Sequence, residues 1–81
     1  SIGKILRDHG KLLMSHDTME FSLVTHETLE AGYAYETVVK YKRITVDGRE
    51  WTVMDSYDDA EAATIGHNRL VGMLAQSDNF P

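Results

Sequence analysis

The chain has 81 residues, a formal net charge of -5 and no cysteine, so disulfide bonds, thiolate zinc sites and cysteine catalysis are excluded. This length is that of one small domain, and its thin core leaves little room for a deep active-site cavity. The acidic balance argues against general nucleic-acid binding. No apolar run approaches the roughly 20 residues that a membrane-spanning helix needs.

The first predicted element is an amphipathic arm or short helix over residues 1–14, in which Lys4, Arg7 and Lys11 lie opposite the apolar residues. This segment has a charge of +2, whereas residues 15–81 have a charge of -7. A helix this short is marginal alone, so we expect docking to order it. A neighbouring protein chain is the expected partner, and packing within the chain is the alternative. The predicted contact residues are Ile2, Ile5, Leu6, Leu12 and Leu13.

A single domain is predicted over residues 15–81, and its first part contains three strands at about 20–29, 33–46 and 49–57. Aromatic and β-branched residues alternate with polar ones in these segments, as in strands with one buried face. Asp47-Gly48 predicts a tight hairpin turn. The strands therefore predict an antiparallel meander. Expected to share a face are Tyr35, Thr37, Val39 and Tyr41 in the second strand, and Trp51, Val53 and Tyr57 in the third.

The last predicted element is a helix over about residues 58–75. Asp58 is expected to cap it, with Glu61 completing a capping box. The helix has one broad apolar stripe, so it should pack across one face of the sheet. Gly66 lies on or beside that stripe and predicts a close approach of the helix to a strand. The expected fold class is therefore α+β.

Candidate chemistry is sparse in this sequence. Ser15-His16-Asp17 contains the residue types of a hydrolase triad, but consecutive residues cannot converge as a triad requires. The four histidines lack the spacing that prearranges metal ligands. The acidic run from Asp55 to Glu61 is explained mainly by helix capping. A basic cluster near the hairpin tip could contact single-stranded nucleic acid, but cross-strand pairing with Glu36 and Glu50 explains it better; the cluster contains Lys40, Lys42, Arg43 and Arg49. We therefore expect no catalytic residue, no cofactor and no metal.

Two motifs at a defined separation resemble a family of small tailed-phage and prophage proteins. The first is an aromatic-Glu-Thr-Met-Val strand, with Val38 here in place of Met. The second is a helix of the form Glu-x-Ala-x-x-Gly-His-x-x-x-Val, which follows a Tyr. The resemblance covers about residues 25–71 and implies a structural role for its motif positions. These are Tyr35, Glu36, Thr37, Val39, Tyr57, Glu61, Ala63, Gly66, His67 and Val71.

The resemblance and the small size together predict a non-enzymatic, virion-associated phage protein, such as a capsid-associated, decoration or connector-type subunit. Its expected partners are a larger phage structural protein or copies of itself, with no membrane contact and no nucleic acid. We expect it in the virion, or in the host cytoplasm during infection. The alternative is a small acidic phage-encoded binder that inhibits a host or defence protein.

Overall fold

The computed structural model describes residues 10–29 and 32–78, which form four β-strands and one α-helix in this order. The fold class is α+β, as the sequence predicts. The ends of the predicted elements that the structure contains differ from the observed ones by up to five residues. The elements are β1 (Leu12–Asp17), β2 (Phe21–Glu27), β3 (Tyr35–Tyr41), β4 (Thr52–Tyr57) and α1 (Ala60–Asp78).

The strands form one antiparallel sheet in the order β1-β2-β3-β4, so the prediction of three strands was wrong by one. The missed strand, β1, takes residues 12–14 from the predicted arm and residues 15–17 from the segment before the first predicted strand. Gly10 has a φ of 108°, which breaks any helix before β1. Pairing with β2 then holds this mostly exposed segment in the sheet. Residues 1–9 of the predicted arm lie outside the described residues.

The helix α1 lies across one face of the sheet, which we call the inner face. The core there contains Phe21, Leu23 and Val39, and the helix adds Leu70, Val71 and Leu74. Tyr41 also packs against this cluster, so the face predicted from Tyr35, Thr37, Val39 and Tyr41 is the one that the helix covers.

The opposite face of the sheet, which we call the outer face, has a separate small cluster. Val24 and Val38 are buried there, and the partly buried Trp51 packs against them. His26 and Glu36 are paired in register on the same face, because they alternate with the inner-face residues of β2 and β3.

Both edge strands contain a register irregularity. In β1 it falls between Leu12 and Met14, and in β4 it falls opposite the step from Thr37 to Val38. The irregularity in β4 corrects the prediction that Trp51, Val53 and Tyr57 share a face. Val53 pairs with Val38 of the outer face, whereas Tyr57 pairs with Tyr35 of the inner face. One extra residue in a strand reverses the alternation beyond it.

The turn predicted at Asp47-Gly48 is confirmed, since both residues have positive φ, 53° and 71°. Val46 and Arg49 flank this turn as an isolated bridge. The turn is the tip of a longer loop, because β3 already ends at Tyr41 and β4 begins at Thr52.

The cap of α1 is Asp59 and not Asp58. The Asp59 carboxylate accepts a hydrogen bond of 2.8 Å from the backbone N–H of Ala62, as an N-cap residue does. Ala62 therefore holds the N3 position, so Glu61 is one residue too early for the predicted capping box.

Candidate functional site

Four side chains form a continuous buried hydrogen-bond chain between the sheet and α1. His67 Nδ1 lies 2.8 Å from the Thr25 hydroxyl. That hydroxyl lies 2.5 Å from the Thr37 hydroxyl, which is 2.9 Å from the Tyr57 hydroxyl. The chain thus joins β2, β3, β4 and the helix through side chains of the inner face. All four residues are buried.

Gly66 brings the helix against Tyr57 at one end of this chain. A Cβ placed on Gly66 would lie 2.5 Å from the Tyr57 hydroxyl oxygen and 2.6 Å from Cζ, and closer still to Cε1. The phenol ring therefore occupies the space that any larger residue would need. This confirms the predicted close approach and places His67, the next residue, within reach of Thr25.

The direction of the chain follows from its donors. Burial, with a smaller effect from His16, lowers the pKa of His67 below 6.5, so its ring is neutral at pH 7. The Tyr57 hydroxyl has no hydrogen-bond partner other than Thr37 among the described residues. Every hydroxyl proton has an acceptor only if Tyr57 donates to Thr37, Thr37 to Thr25, and Thr25 to His67 Nδ1. His67 is therefore the tautomer with its proton on Nε2.

The Tyr57 hydroxyl is held in its protonated form by this environment. Burial is the largest cause of a raised Tyr57 pKa, and the hydrogen bond with Thr37 opposes it in part. A neutral imidazole and a neutral phenol at the two ends make the chain a structural link between helix and sheet. Each hydroxyl proton is donated within the chain, and the Thr25 hydroxyl beside His67 is 0% exposed, so no substrate reaches it in this structure.

The ten positions of the two sequence motifs fall into three groups. The hydrogen-bond chain and its packing contact use Thr37, Tyr57, Gly66 and His67. The apolar packing of the inner face uses Val39, Val71 and the fully buried Ala63. The remaining three are elsewhere: Tyr35 at the start of β3, Glu36 on the outer face and Glu61 exposed on α1.

Two fully buried residues of β2, one on each face of the sheet, make polar contacts that the sequence did not predict. Thr25 joins His67 to Thr37, and its inward position follows from the alternation of β2. His26 is fully buried on the outer face, where Nδ1 lies 2.8 Å from the Glu27 carbonyl oxygen and Nε2 lies 3.0 Å from Glu36 Oε1. The only signal in the sequence was the alternation of residues along the strand, from Val24 through Thr25 to His26.

The Ser15-His16-Asp17 segment is in β1 and does not form a triad. Ser15 and His16 pair with Val24 and Leu23, which lie on opposite faces of the sheet. Asp17 accepts a hydrogen bond from the Ser22 hydroxyl, which is the largest cause of its lowered pKa, and also pairs with Lys42 at 3.0 Å.

The basic residues at the β3–β4 end of the sheet are largely engaged in ion pairs. Lys40 pairs with Glu50 at 3.0 Å, and this hydrogen bond is the largest cause of the lowered Glu50 pKa. Of the two acidic partners predicted for the basic cluster, Glu50 is confirmed, whereas Glu36 lies against His26. Arg43 lies 3.5 Å from Glu20. These pairs neutralise the basic cluster locally, which weakens its attraction for phosphate.

The predicted partner-binding residues are only partly within the described part of the chain. Leu12 and Leu13 lie on the edge strand β1, with Leu12 42% exposed. Ile2, Ile5 and Leu6 lie outside it.

Within residues 10–29 and 32–78, no group of three or more potential metal ligands is placed to hold an ion. In the same residues, no helix has both the length and the hydropathy needed to cross a membrane. No family model, curated protein or solved structure gives a significant match to the chain.

Proposed function

We propose that the chain is a non-enzymatic protein of a phage particle, a capsid-associated, decoration or connector-type subunit that acts through contacts with other protein chains. One observation carries the proposal. Three large apolar side chains of β4 and α1 are exposed, and we call this group of residues the β4 edge. They are Val53, Met54 and Met73, which are 56%, 38% and 55% exposed.

The two elements that carry the β4 edge are in contact with each other. Gly66 lies against Tyr57 of β4, and Met73 returns to the same side of α1 two helical turns later. The edge of β4 that points away from β3 pairs with no described strand. A group of exposed apolar side chains on a small domain is typical of a protein contact surface.

The phage setting is supported by the resemblance in β3 and α1. Its distinctive positions, Thr37, Tyr57, Gly66 and His67, are used to fix the helix on the sheet. A shared motif of this kind serves the scaffold, and the partner-specific contacts are then made by exposed positions outside it. A larger phage structural protein, or further copies of the chain, is the proposed partner.

Purified particles test this proposal. Mass spectrometry should detect the protein in particles assembled with the wild-type chain. Val53→Lys should reduce its amount relative to the major capsid protein several-fold, because a charge would be desolvated in the contact. Ile65→Lys is the matched control, since Ile65 is 53% exposed on the side of α1 away from the sheet. Absence of the wild-type protein from particles would refute the proposal.

A second function is favoured by one observation, the uncompensated acidic group at the β4–α1 junction. Asp55, Asp58, Asp59 and Glu61 lie within seven residues, and no described ion pair neutralises any of them. Such a surface suits an inhibitor that covers a basic site on a host or defence protein. A stoichiometric host partner recovered from infected cells, and lost in Asp58→Asn/Glu61→Gln, would favour this function.

A further inference from the structure

The β1–β2 turn and the start of the β3–β4 loop meet at one end of the sheet, and we call this end the sheet tip (residues 18–20 and 42–44). The Lys42 backbone N–H donates a 3.0 Å hydrogen bond to the Glu20 carbonyl. The Arg43 guanidinium lies 3.5 Å from the Glu20 carboxylate. One backbone contact and one side-chain contact therefore hold the two segments together.

The sheet tip exposes two large apolar side chains. Met19 is 85% exposed and Ile44 is 62% exposed, and each lies within two residues of the hydrogen bond between Lys42 and Glu20. Turns favour small polar residues, and neither side chain belongs to a described core cluster. Exposed apolar residues that share one end of a small domain are typical of a contact surface.

The backbone that carries Met19 is fixed before any partner binds. The Thr18 hydroxyl oxygen accepts hydrogen bonds of 3.1 Å from the backbone N–H groups of Glu20 and Phe21. The Thr18 backbone N–H donates a 2.8 Å hydrogen bond to the Phe21 carbonyl, and Phe21 is part of the buried core. Because the turn is already formed, burial of Met19 in a contact costs little backbone freedom.

The charge of this region indicates which partner it fits. Segments 17–20 and 40–50 contain equal numbers of acidic and basic residues, so the whole excess of -5 belongs to the rest of the chain. Two copies of an acidic protein repel each other least when they approach through a neutral surface. The charged residues of the two segments are Asp17, Glu20, Asp47 and Glu50, and Lys40, Lys42, Arg43 and Arg49.

The sheet tip is also complementary to itself, as a two-fold contact between identical chains requires. Glu20 and Arg43 lie side by side with opposite charges, and their side chains are 41% and 77% exposed. In a two-fold contact, Arg43 of one copy can face Glu20 of the other, and the same pair forms a second time across the axis.

We propose that two copies of the chain associate through their sheet tips, with Met19 and Ile44 of one copy packed against those of the other. Beside these side chains, Glu20 of each copy pairs with Arg43 of the second copy. The proposal does not rest on the proposed function, because it uses none of the residues of the β4 edge.

Sedimentation equilibrium of the full-length protein measures this association. The contact is small, so we expect a weak dimer with a dissociation constant of about 0.1–1 mM. Met19→Ser should weaken the dimer about tenfold. Ile65→Ser is the matched control and should leave it unchanged, since Ile65 is an exposed residue of α1. No detectable dimer at about 1 mM, or equal effects of the two substitutions, would overturn the proposal.

Charge reversal tests the pairing between copies. Glu20→Arg and Arg43→Glu should each weaken the dimer, because each places like charges opposite one another across the contact. An equimolar mixture of the two variants should dimerise more tightly than either variant alone, since every pair across the contact then joins opposite charges. Added salt should reduce this difference. A mixture that dimerises no more tightly than the separate variants would overturn the proposal.

A lipid surface is the other environment that can bury an apolar side chain on an exposed turn. Cosedimentation with phosphatidylcholine vesicles separates the two, and we expect the wild-type protein to stay in the supernatant. Vesicle binding that is lost in Met19→Ser, from a protein that forms no dimer in solution, would overturn the proposal and assign the sheet tip to a membrane.

Discussion

Replacing Gly66 with alanine is the sharpest perturbation of this structure, because it adds a single methyl group at the contact between helix and sheet. The new Cβ would lie 2.5 Å from the Tyr57 hydroxyl oxygen and 2.6 Å from Cζ. Ordinary carbon contacts are about 3.5–4.0 Å, so the ring or the helix must move by more than about 1 Å. The ring is buried and hydrogen-bonded to Thr37, so this movement disturbs the whole chain of hydroxyls.

Three effects set the magnitude. Alanine favours the helix by about 1 kcal/mol over glycine. Overpacking of a buried site costs about 1–3 kcal/mol, and loss of the Tyr57–Thr37 hydrogen bond costs about 1 kcal/mol more. The net expectation for Gly66→Ala is a loss of about 1–3 kcal/mol in the free energy of unfolding. For a domain of this size, that lowers Tm by at least about 4 °C.

Gly72→Ala in the same helix is the matched control. No heavy atom lies within 4 Å of the position of its Cβ, so only the helix propensity changes and stability should rise by up to about 1 kcal/mol. The helical preference cancels in the difference between the two variants, which leaves the clash with Tyr57. Urea denaturation followed by circular dichroism should give that difference as about 2–4 kcal/mol.

The reasoning would be refuted if Gly66→Ala were as stable as Gly72→Ala. A second test uses Tyr57→Val, which removes the ring from this space. In that background the two alanine substitutions should change stability in the same direction, because the site next to Gly66 is then open.

Thr37→Val should cost about 1–3 kcal/mol, because it leaves the buried Tyr57 hydroxyl without an acceptor and removes the hydrogen bond to Thr25. Thr52→Val, with no side-chain hydrogen bond in the described residues, should have little effect in the same urea titration. Burial lowers the pKa of His67 below 6.5. The unfolded chain therefore binds a proton at His67 more readily than the folded protein does. The contribution of His67 to stability is therefore complete above pH 6.5 and is lost as the pH falls through the lowered pKa. His67→Gln should flatten that decline in a series of urea titrations between about pH 7 and pH 5, and an unchanged slope would contradict this assignment. Asp59→Ala should lower stability by about 0.5–2 kcal/mol through loss of the cap, whereas Asp58→Ala should change stability by no more than about 0.5 kcal/mol. Equal effects of the two substitutions in thermal melts would show that Asp59 is not the cap of α1.

The strong local patterns of the sequence were sufficient for most of the fold. The alternation in β2 and β3 and the apolar stripe of α1 each reflect one buried face, so the α+β class and the helix-covered face followed from them. Strand β1 was missed because an edge strand is mostly exposed, so it has no marked alternation. Only its pairing with β2 identifies it.

The helix residues of the candidate site could be predicted from the sequence, whereas their partners in the strands could not. Gly66 and His67 stood out because a glycine on an apolar stripe and an adjacent polar ring are unusual in a helix. Their partners did not, since a threonine in a strand has the same local pattern whether its hydroxyl is buried or exposed. The irregularity in β4 had no signal in the sequence either, and it puts Tyr57 on the inner face, next to Gly66, and Val53 on the outer face.

The register irregularities in β1 and β4 also bear on how this protein behaves when it is crowded. Both outer strands of the sheet carry one, so neither offers a long regular ladder to the backbone of another molecule. Fibrillar growth by strand addition is thereby disfavoured at both ends of the sheet at once. A small domain with exposed apolar side chains can then be concentrated without extending its sheet from molecule to molecule, and its associations are left to side-chain complementarity.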